Sequence, residues 1–331
     1  MAKLLEIDGL RVAFRTEDGL VRAVDDVSFD VEAGETVAVV GESGSGKSVT
    51  ARAVLGLVPR PPGVVEGGAI RFKGEDLLTL DPERLRNLRG ARISMVFQEP
   101  MTALNPLLSI GTQLTEGMRA HLGYDRTRAA RRAAELLDMV GIAEPEQRLK
   151  QYPHQFSGGM RQRVVIAMAL ACEPELILAD EPTTALDVTI QAQILELMRD
   201  LTRRLGVALV LITHNLGVVA RYAQRVNVMY AGRIVEQGAT DALFERPRHP
   251  YTLGLLGSVP RLDRARTTTL AAIDGQPPDP AALPQGCAFR PRCAFASARC
   301  HAVPPLVEVE PGHASACLHW DTLPATAREV A

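Results

Sequence analysis

The chain has no long apolar segment and no excess of charge of one sign. No stretch of its 331 residues approaches the roughly 20 consecutive apolar residues that a membrane-spanning helix needs, and the N-terminal MAKLLEIDGL lacks the apolar run of a signal peptide. Its 37 basic and 39 acidic residues give a net charge of −2, which offers no general attraction to nucleic acid or to an anionic membrane surface. We therefore expect a cytosolic chain, no nucleic-acid partner, and partners that are recognised through specific motifs.

Cysteine is scarce, with five residues in all, and four of them fall near the end of the chain. These four, the tail cysteines, are Cys287, Cys293, Cys300 and Cys317. Their spacing, C-x5-C-x6-C-x16-C, lacks the C-x2-C pair of common structural zinc sites, and disulfides are rare in a reducing cytosol. Three alternatives stay open on the residues alone: a [4Fe-4S] cluster, a zinc site in which His301, His313 or His319 replaces a thiolate, and free thiols.

Proline is unevenly distributed, and its distribution divides the chain. Twelve of the 22 prolines lie between Pro247 and Pro324, which excludes long regular helices or strands there. Before them, short apolar strands such as LILADEP and VALVLITH alternate with helical patterns, which is typical of an α/β core with a mainly parallel sheet. Residues 1–245 are thus predicted to form an α/β domain with a helical insert at about 100–170, and residues 246–331 an extension. Within the insert, the pattern places one apolar helical face at Ala130, Ala133, Leu137 and Val140.

The segment GESGSGKS at residues 41–48 carries the strongest chemical signal. It matches G-x-x-x-x-G-K-[ST] and lies between a predicted strand and a predicted helix, which is the context that a phosphate-binding loop needs. Glycines let backbone N–H groups surround phosphate oxygens, Lys47 can reach the β- and γ-phosphates, and Ser48 can bind Mg²⁺. We therefore predict that the chain binds a nucleoside triphosphate. The predicted contacts from this segment are Gly41, Ser43, Gly44, Ser45, Gly46, Lys47, Ser48 and Val49.

Polar residues at three further strand ends point to hydrolysis of that triphosphate. Asp180 and Glu181 end LILADE, where Asp180 suits Mg²⁺ and Glu181 can polarise an attacking water. His214 ends LVLITH and can donate to the γ-phosphate, and Gln98 ends ISMVFQ as a further nucleotide and Mg²⁺ contact. A single histidine or glutamine at a strand end is commonly structural, but together with the acidic pair these residues favour a catalytic site.

The segment QFSGGMRQR at residues 155–163 completes an ordered set of motifs that resembles the ATP-binding cassette family over residues 1 to about 240. The resemblance implies that the nucleotide is ATP. It also implies a P-loop NTPase core with an antiparallel β subdomain and a helical insert, and it implies that Phe14 stacks on the adenine. It also implies a dimer in which Ser157, Gly158 and Gly159 of one chain cap the ATP in the phosphate loop of the other. Hydrolysis would then remove the bridging charge and open the dimer.

Two segments outside these motifs, VFQEPMTALNPLLSIGTQL and ERPRHPYTLGLLGSVP, resemble the subgroup that serves bacterial importers of dipeptides, oligopeptides and nickel. The resemblance implies an ATPase subunit at the cytoplasmic face of the cell membrane. Its implied partners are a second cassette subunit, expected to be a different chain, two membrane permeases and, indirectly, an external substrate-binding protein. A permease docking groove is expected at Met101, Leu104, Pro106, Leu107 and Leu108.

The same subgroup resemblance favours a [4Fe-4S] cluster over zinc at the tail cysteines. Because all four lie C-terminal to every ATPase motif, we expect the cluster to order the tail rather than to take part in hydrolysis. The alternative functions are a soluble cassette ATPase acting on ribosomes or DNA, a redox sensor, or an importer whose cargo is nickel. The chain has a single cassette and no long coiled coil, which favours an importer over the soluble ATPase, and a redox sensor would leave the ATPase motifs unexplained.

Overall fold

The computed structural model describes residues 3–17, 19–184, 186–258 and 273–324, with the side chains of Pro100 and Met101 left out. The strands are β1 (Lys3–Thr16), β2 (Gly19–Glu32), β3 (Thr36–Val40), β4 (Gly63–Phe72), β5 (Glu75–Asp76), β6 (Ile93–Val96), β7 (Leu176–Asp180), β8 (Ala208–Thr213), β9 (Arg225–Tyr230), β10 (Arg233–Ala239), β11 (Val307–Glu310) and β12 (His313–Ser315). The helices are α1 (Lys47–Val54), α2 (Pro82–Leu88), α3 (Pro100–Ala103), α4 (Ile110–Leu122), α5 (Arg126–Met139), α6 (Pro145–Arg148), α7 (Gly158–Leu170), α8 (Val188–Leu205), α9 (Leu216–Tyr222), α10 (Thr240–Glu245) and α11 (Pro250–Gly257). Short 3-10 helices lie at Pro153–Gln155, Arg290–Arg292 and Ala298–His301. Within the described ranges, none of the helices combines the length and apolarity needed to cross a bilayer.

The chain divides into two compact units, and the first comprises Val31–Glu35 and Thr79–Ile212. In this unit β6, β7 and β8 are parallel, with Ile93 opposite Leu176 and Leu176 opposite Ala208. Every residue of β6 and β7 is buried, which explains why these strands are nearly continuous apolar runs rather than alternating ones. The carboxyl end of β7 therefore carries Asp180 on a rigid, fully packed strand.

Helices α3 to α7 of the first unit pack around an aliphatic core. In α5 the buried face consists of Ala129, Ala133, Leu136 and Leu137, and Asp125 caps the helix by accepting from Arg128 N–H at 2.8 Å. Ala130 is exposed, so its placement on the apolar face was wrong, whereas Ala133, Leu137 and Val140 are buried. The predicted face is displaced by one residue at this edge, since Ala129 rather than Ala130 is buried. A helical face is about 100° wide, and periodicity alone does not resolve the residues at its edges.

The second unit comprises Lys3–Asp30, Thr36–Leu78 and the described part of Thr213–Ala331. It contains a four-stranded sheet of order β2-β1-β4-β5, in which β4 is antiparallel to β1 and to β5. Strand β3 pairs with β9 in parallel. Beyond β9 come β10, β12 and β11 in that order, each antiparallel to the strand before it. Parallel pairs β3–β9 and β6–β7–β8 and the separate antiparallel sheet confirm the predicted fold class. The tail thus adds two short strands next to β10.

Within the second unit, the C-terminal extension packs on β9 through aromatic rings, although the chain has few of them. Tyr230 of β9, Tyr251 of α11 and Phe289 are all buried, and their ring centroids lie 4.6 to 5.4 Å apart. Burying a side chain of this size contributes about 2 to 3 kcal/mol, and tilted or edge-to-face ring pairs add to it. This cluster holds the C-terminal extension against β9.

Candidate nucleotide-binding site

The loop between β3 and α1 has the backbone conformation of a phosphate cradle. Gly41, Gly44 and Gly46 have φ angles of 154°, 79° and 101°, a region that other residues rarely adopt. A Cβ atom at Gly41 would lie 2.1 Å from the carbonyl oxygen of Met229, and one at Gly46 would lie 2.4 Å from that of Ala23. No side chain caps α1, whose first N–H groups have no partners within the helix. Both features suit phosphate oxygens, as the sequence predicted for this segment.

Lys47 is buried at the centre of this loop. Its Nζ donates to the carbonyl oxygens of Gly41 at 2.7 Å and Glu42 at 2.8 Å, and it lies 3.4 Å from Ser45 Oγ. The loop carbonyls therefore hold the ammonium group directly over the curled backbone. This geometry fixes a positive charge within the loop for which the sequence predicts contact with the β- and γ-phosphates.

The acidic pair at the end of β7 lies in the first unit, together with Gln98. Asp180 is 1% exposed, and Glu181 follows it with a left-handed φ of 45°, a strained value for a residue other than glycine. The Glu181 N–H donates to Ile212 O at 3.0 Å, and its Oε2 accepts from Thr184 Oγ1 at 2.7 Å and lies 3.4 Å from Gln98 Nε2. The structure thus brings Gln98 and Glu181 together. Thr184, to which the sequence assigned no role, orients the carboxylate.

The predicted signature residues form an accessible helix start in the first unit. Ser157 caps the 13-residue α7, accepting from Met160 N–H at 3.4 Å, and both Ser157 and Gly158 are exposed. Gly159 lies against Ile190, since a Cβ there would be 2.9 Å from Ile190 Cγ2. An exposed helix N-terminus that begins with serine and two glycines presents N–H groups to an anion from outside.

Two other predicted residues lie in the second unit. His214 is exposed directly after β8, where Asn215 caps α9. Phe14 of β1 is half-buried and pairs with Gly63 of β4, close enough that a Cβ at Gly63 would be 3.2 Å from the ring. Both side chains remain partly open to solvent, and their predicted roles stay predictions.

The four tail cysteines are free thiols, with Cys300 buried and the others half-buried. Burial raises the pKa of Cys287, Cys293 and Cys317, that of Cys317 to about 12, and neighbouring tail cysteines raise all three further. Among the described residues, no three histidine, cysteine, aspartate or glutamate side chains are arranged to hold a metal. The predicted [4Fe-4S] or zinc site is therefore not confirmed.

The helical insert carries a cleft of about 1680 Å³, lined by residues of α4, α5 and α6 and by Leu108 and Tyr152. Next to it, Leu107 is 83% exposed and Pro106 and Leu108 are also exposed. Leu104 is 3% exposed, so its predicted place in a docking groove was wrong: it belongs to the core. The predicted contribution of the Met101 side chain lies outside the described residues.

Comparison with known proteins places these features in a family context. Residues 24–184 match the family described as ABC transporter, and residues 235–300 match the oligopeptide/dipeptide transporter C-terminal region. A putative peptide import ATP-binding protein of Brucella melitensis is 54% identical, over 97% of this chain and 98% of its own length. The dipeptide transport ATP-binding protein DppD of Bacillus subtilis is 55% identical, over 88% and 87%.

Solved structures agree with this assignment. The dimeric, post-hydrolysis structure of the ATP-binding cassette MJ0796 with ADP and Pi has a TM-score of 0.64 at 27% identity. It covers 71% of this chain and 98% of that chain. The cassette CbiO1 of Clostridium perfringens, part of a CbiONQ transporter complex, has a TM-score of 0.62 at 26% identity, over 74% of this chain and 91% of that chain.

Proposed function

The chain belongs to the ATP-binding cassette transporter family, and on that premise we propose that it is the ATP-hydrolysing subunit of a bacterial importer of dipeptides or oligopeptides. The observation that carries the proposal is the presence in one chain of a cassette phosphate loop and a C-terminal region of the oligopeptide/dipeptide transporter type. The cassette is residues 1–245 and the extension is residues 246–331. The names of the relatives favour peptides over nickel as cargo.

Different residues of the site serve ATP binding and ATP hydrolysis. Lys47 and the loop N–H groups bind the β- and γ-phosphates, and the Phe14 ring takes the adenine. Ser48, Gln98 and Asp180 stay the Mg²⁺ ligands that the sequence predicts, and a bound ion would neutralise charge on the phosphates. Glu181 accepts a proton from the attacking water. The Thr184 hydroxyl holds the Glu181 carboxylate in place. The His214 side chain donates to the γ-phosphate.

A second cassette completes each site. The exposed start of α7, with Ser157, Gly158 and Gly159, has the chemistry to contact the γ-phosphate of ATP bound by the partner. Because the dimeric MJ0796 cassette matches this fold, dimer closure on ATP is the step that we assign to these residues. Hydrolysis then removes the bridging γ-phosphate, which weakens the interface.

Membrane permeases dock on the helical insert. The exposed Leu107 and Leu108 beside the large cleft provide an apolar contact that a short amphipathic permease helix can cover. Arg119 and Arg126 also line the cleft and supply charge around that contact. Such docking holds the chain at the cytoplasmic face of the membrane as a peripheral subunit.

We also propose that the tail cysteines bind a [4Fe-4S] cluster, with Zn²⁺ as the alternative. What supports this proposal is that burial raises the pKa of Cys317 and that Cys293, Cys287 and Cys300 lie near enough to raise it further. The Cys287 N–H also donates to Cys300 O at 3.0 Å, which joins the ends of this cysteine-rich segment.

The test is transport by a defined complex. The chain should be co-expressed with its neighbouring permeases and partner ATPase and reconstituted in vesicles with ATP on the cytoplasmic side and peptide-loaded binding protein on the other. Peptide uptake should require ATP and should be abolished by Lys47→Ala. Failure of the chain to associate with permeases, together with ATPase stimulation by ribosomes or DNA, would favour the soluble cassette function instead.

A further inference from the structure

The second residue of the phosphate loop, Glu42, is held by the C-terminal extension. Its carboxylate accepts two hydrogen bonds from Arg292, from Nη1 to Oε2 at 2.7 Å and from Nη2 to Oε1 at 3.0 Å. Its backbone N–H donates to Tyr251 Oη at 2.8 Å, and its carbonyl accepts from Lys47 Nζ at 2.8 Å. The side chain, the N–H and the carbonyl of one loop residue are therefore each fixed by a separate partner.

Arg292 is itself fixed within the extension. Its side chain is 5% exposed, and its Nε donates to Asp274 O at 3.0 Å. The guanidinium carbon lies 5.9 Å from the ring centroids of both Tyr230 and Phe289, within the range of cation–π attraction. Pairing with Glu42 raises the Arg292 pKa, so the group stays charged at every relevant pH.

This contact couples the extension to the lysine that binds phosphate. A two-point guanidinium–carboxylate pair fixes orientation as well as distance, and here the Arg292 side chain is 5% exposed and the Glu42 side chain 28% exposed. If the backbone at Glu42 shifted once its side chain was released, the carbonyl that positions Lys47 Nζ would move with it. The Ser45 N–H, which donates to the same carbonyl at 3.3 Å, would also lose its partner.

We propose that the extension sets the geometry of the phosphate loop through Arg292, which acts as a positioning residue for ATP binding. The proposal rests on the proposed function, since it requires that the loop bind ATP. Under this proposal the extension influences ATP binding, and Arg292 connects the extension to the phosphate loop. Arg292 ends the 3-10 helix Arg290–Arg292 and directly precedes Cys293, which packs against the same buried cluster as Tyr230 and Phe289.

The experiment measures the dissociation constant of a fluorescent methylanthraniloyl ATP with Mg²⁺ on the full-length chain. Arg292→Ala should weaken binding by about tenfold, the size expected for a charge-assisted pair whose loss leaves a partly buried carboxylate alone. Arg299→Ala is the matched control, because Arg299 is an exposed arginine that directly precedes Cys300. It should bind nucleotide as the wild type does.

A double-mutant cycle with Glu42→Gln separates positioning from general stability. If Arg292 acts through Glu42, adding Arg292→Ala to Glu42→Gln should cost little further affinity, and in the reconstituted complex KM for ATP should rise more than kcat falls. Arg292→Lys, which keeps the charge but loses the two-point geometry, should recover part of the affinity and serves if the alanine variant is poorly folded.

Unchanged ATP affinity in folded Arg292→Ala, or fully additive effects in the cycle, would overturn the proposal. A lower melting temperature with unchanged affinity would assign Arg292 to stability alone and would count against it equally. The proposed function is judged separately: it fails if the wild type does not bind ATP. Its ATP-binding step stands, whatever Arg292 does, if the wild type binds ATP and Lys47→Ala does not.

Discussion

His249 should make the stability of the second unit sensitive to mild acid. It is 1% exposed, and its Nδ1 caps α11 by accepting from the Tyr251 N–H at 3.1 Å, so the neutral ring carries its proton on Nε2. The ring also packs against Phe289, with centroids 5.9 Å apart. Burial lowers the pKa of His249 to about 3, because a charged imidazolium here would lose its hydration.

The sign and size follow from linkage. The folded state does not bind the proton until about pH 3, whereas the unfolded chain binds it below about pH 6.5, so the unfolded state takes up more protons in between. Stability is therefore complete above about pH 6.5 and is lost progressively as the pH falls toward 3. Because pH 5 lies about 1.5 units below the pKa of the unfolded chain, lowering the pH from 7.5 to 5 should reduce the free energy of unfolding by about 2 kcal/mol.

The assay is urea unfolding at pH 7.5 and pH 5, followed by the fluorescence of Trp320, the single tryptophan, which lies in the extension. His249→Asn keeps an oxygen that can cap α11 but has no titratable ring, so about 2 kcal/mol of the pH dependence should disappear whatever the variant's absolute stability. His154→Asn, which changes an exposed histidine, is the control and should retain it. An equal pH dependence in His249→Asn and the wild type would refute the reasoning.

Three further predictions test the site, the docking surface and the tail. Glu181→Gln should keep ATP binding and lower turnover by roughly a hundredfold or more, with the closed dimer accumulating; near-normal turnover with the partner cassette disabled would remove Glu181 from its role. Leu107→Asp should reduce co-purification of permeases without changing ATP affinity, whereas Leu205→Asp, which charges another exposed leucine, should not. Protein purified without oxygen should be brown with about four irons and about four sulfides per chain if the tail cysteines hold a cluster; a colourless protein with one zinc would support the alternative.

Much of the local site was predictable because its chemistry is contiguous in sequence. GESGSGKS requires glycines at fixed positions, and the structure shows positive φ angles at Gly41, Gly44 and Gly46. The runs LILAD and ALVLIT are fully buried strands, as uninterrupted apolar residues of that length predict. These features depend on a residue and its near neighbours, so the amino-acid sequence determines them before any tertiary packing.

Packing decided what periodicity and spacing could not. Leu104 and Leu107 are equally apolar and three residues apart, yet one is in the core and the other is 83% exposed. The spacing of the tail cysteines suggested metal ligands, but whether thiol groups point at one centre depends on backbone directions that spacing does not contain.

The sequence by itself determined the phosphate loop, the acidic strand end and the family. Only the tertiary structure decided that Arg292 contacts Glu42, a residue 250 positions away. Arginine next to a cysteine in a proline-rich tail carries no sign of its partner, and Arg299 has the same local setting without that contact. The difference arises because Tyr230, Tyr251 and Phe289 pack together and bring one arginine, rather than the other, to the loop. Long-range contacts of this kind follow from how apolar surfaces are buried, which no local pattern specifies.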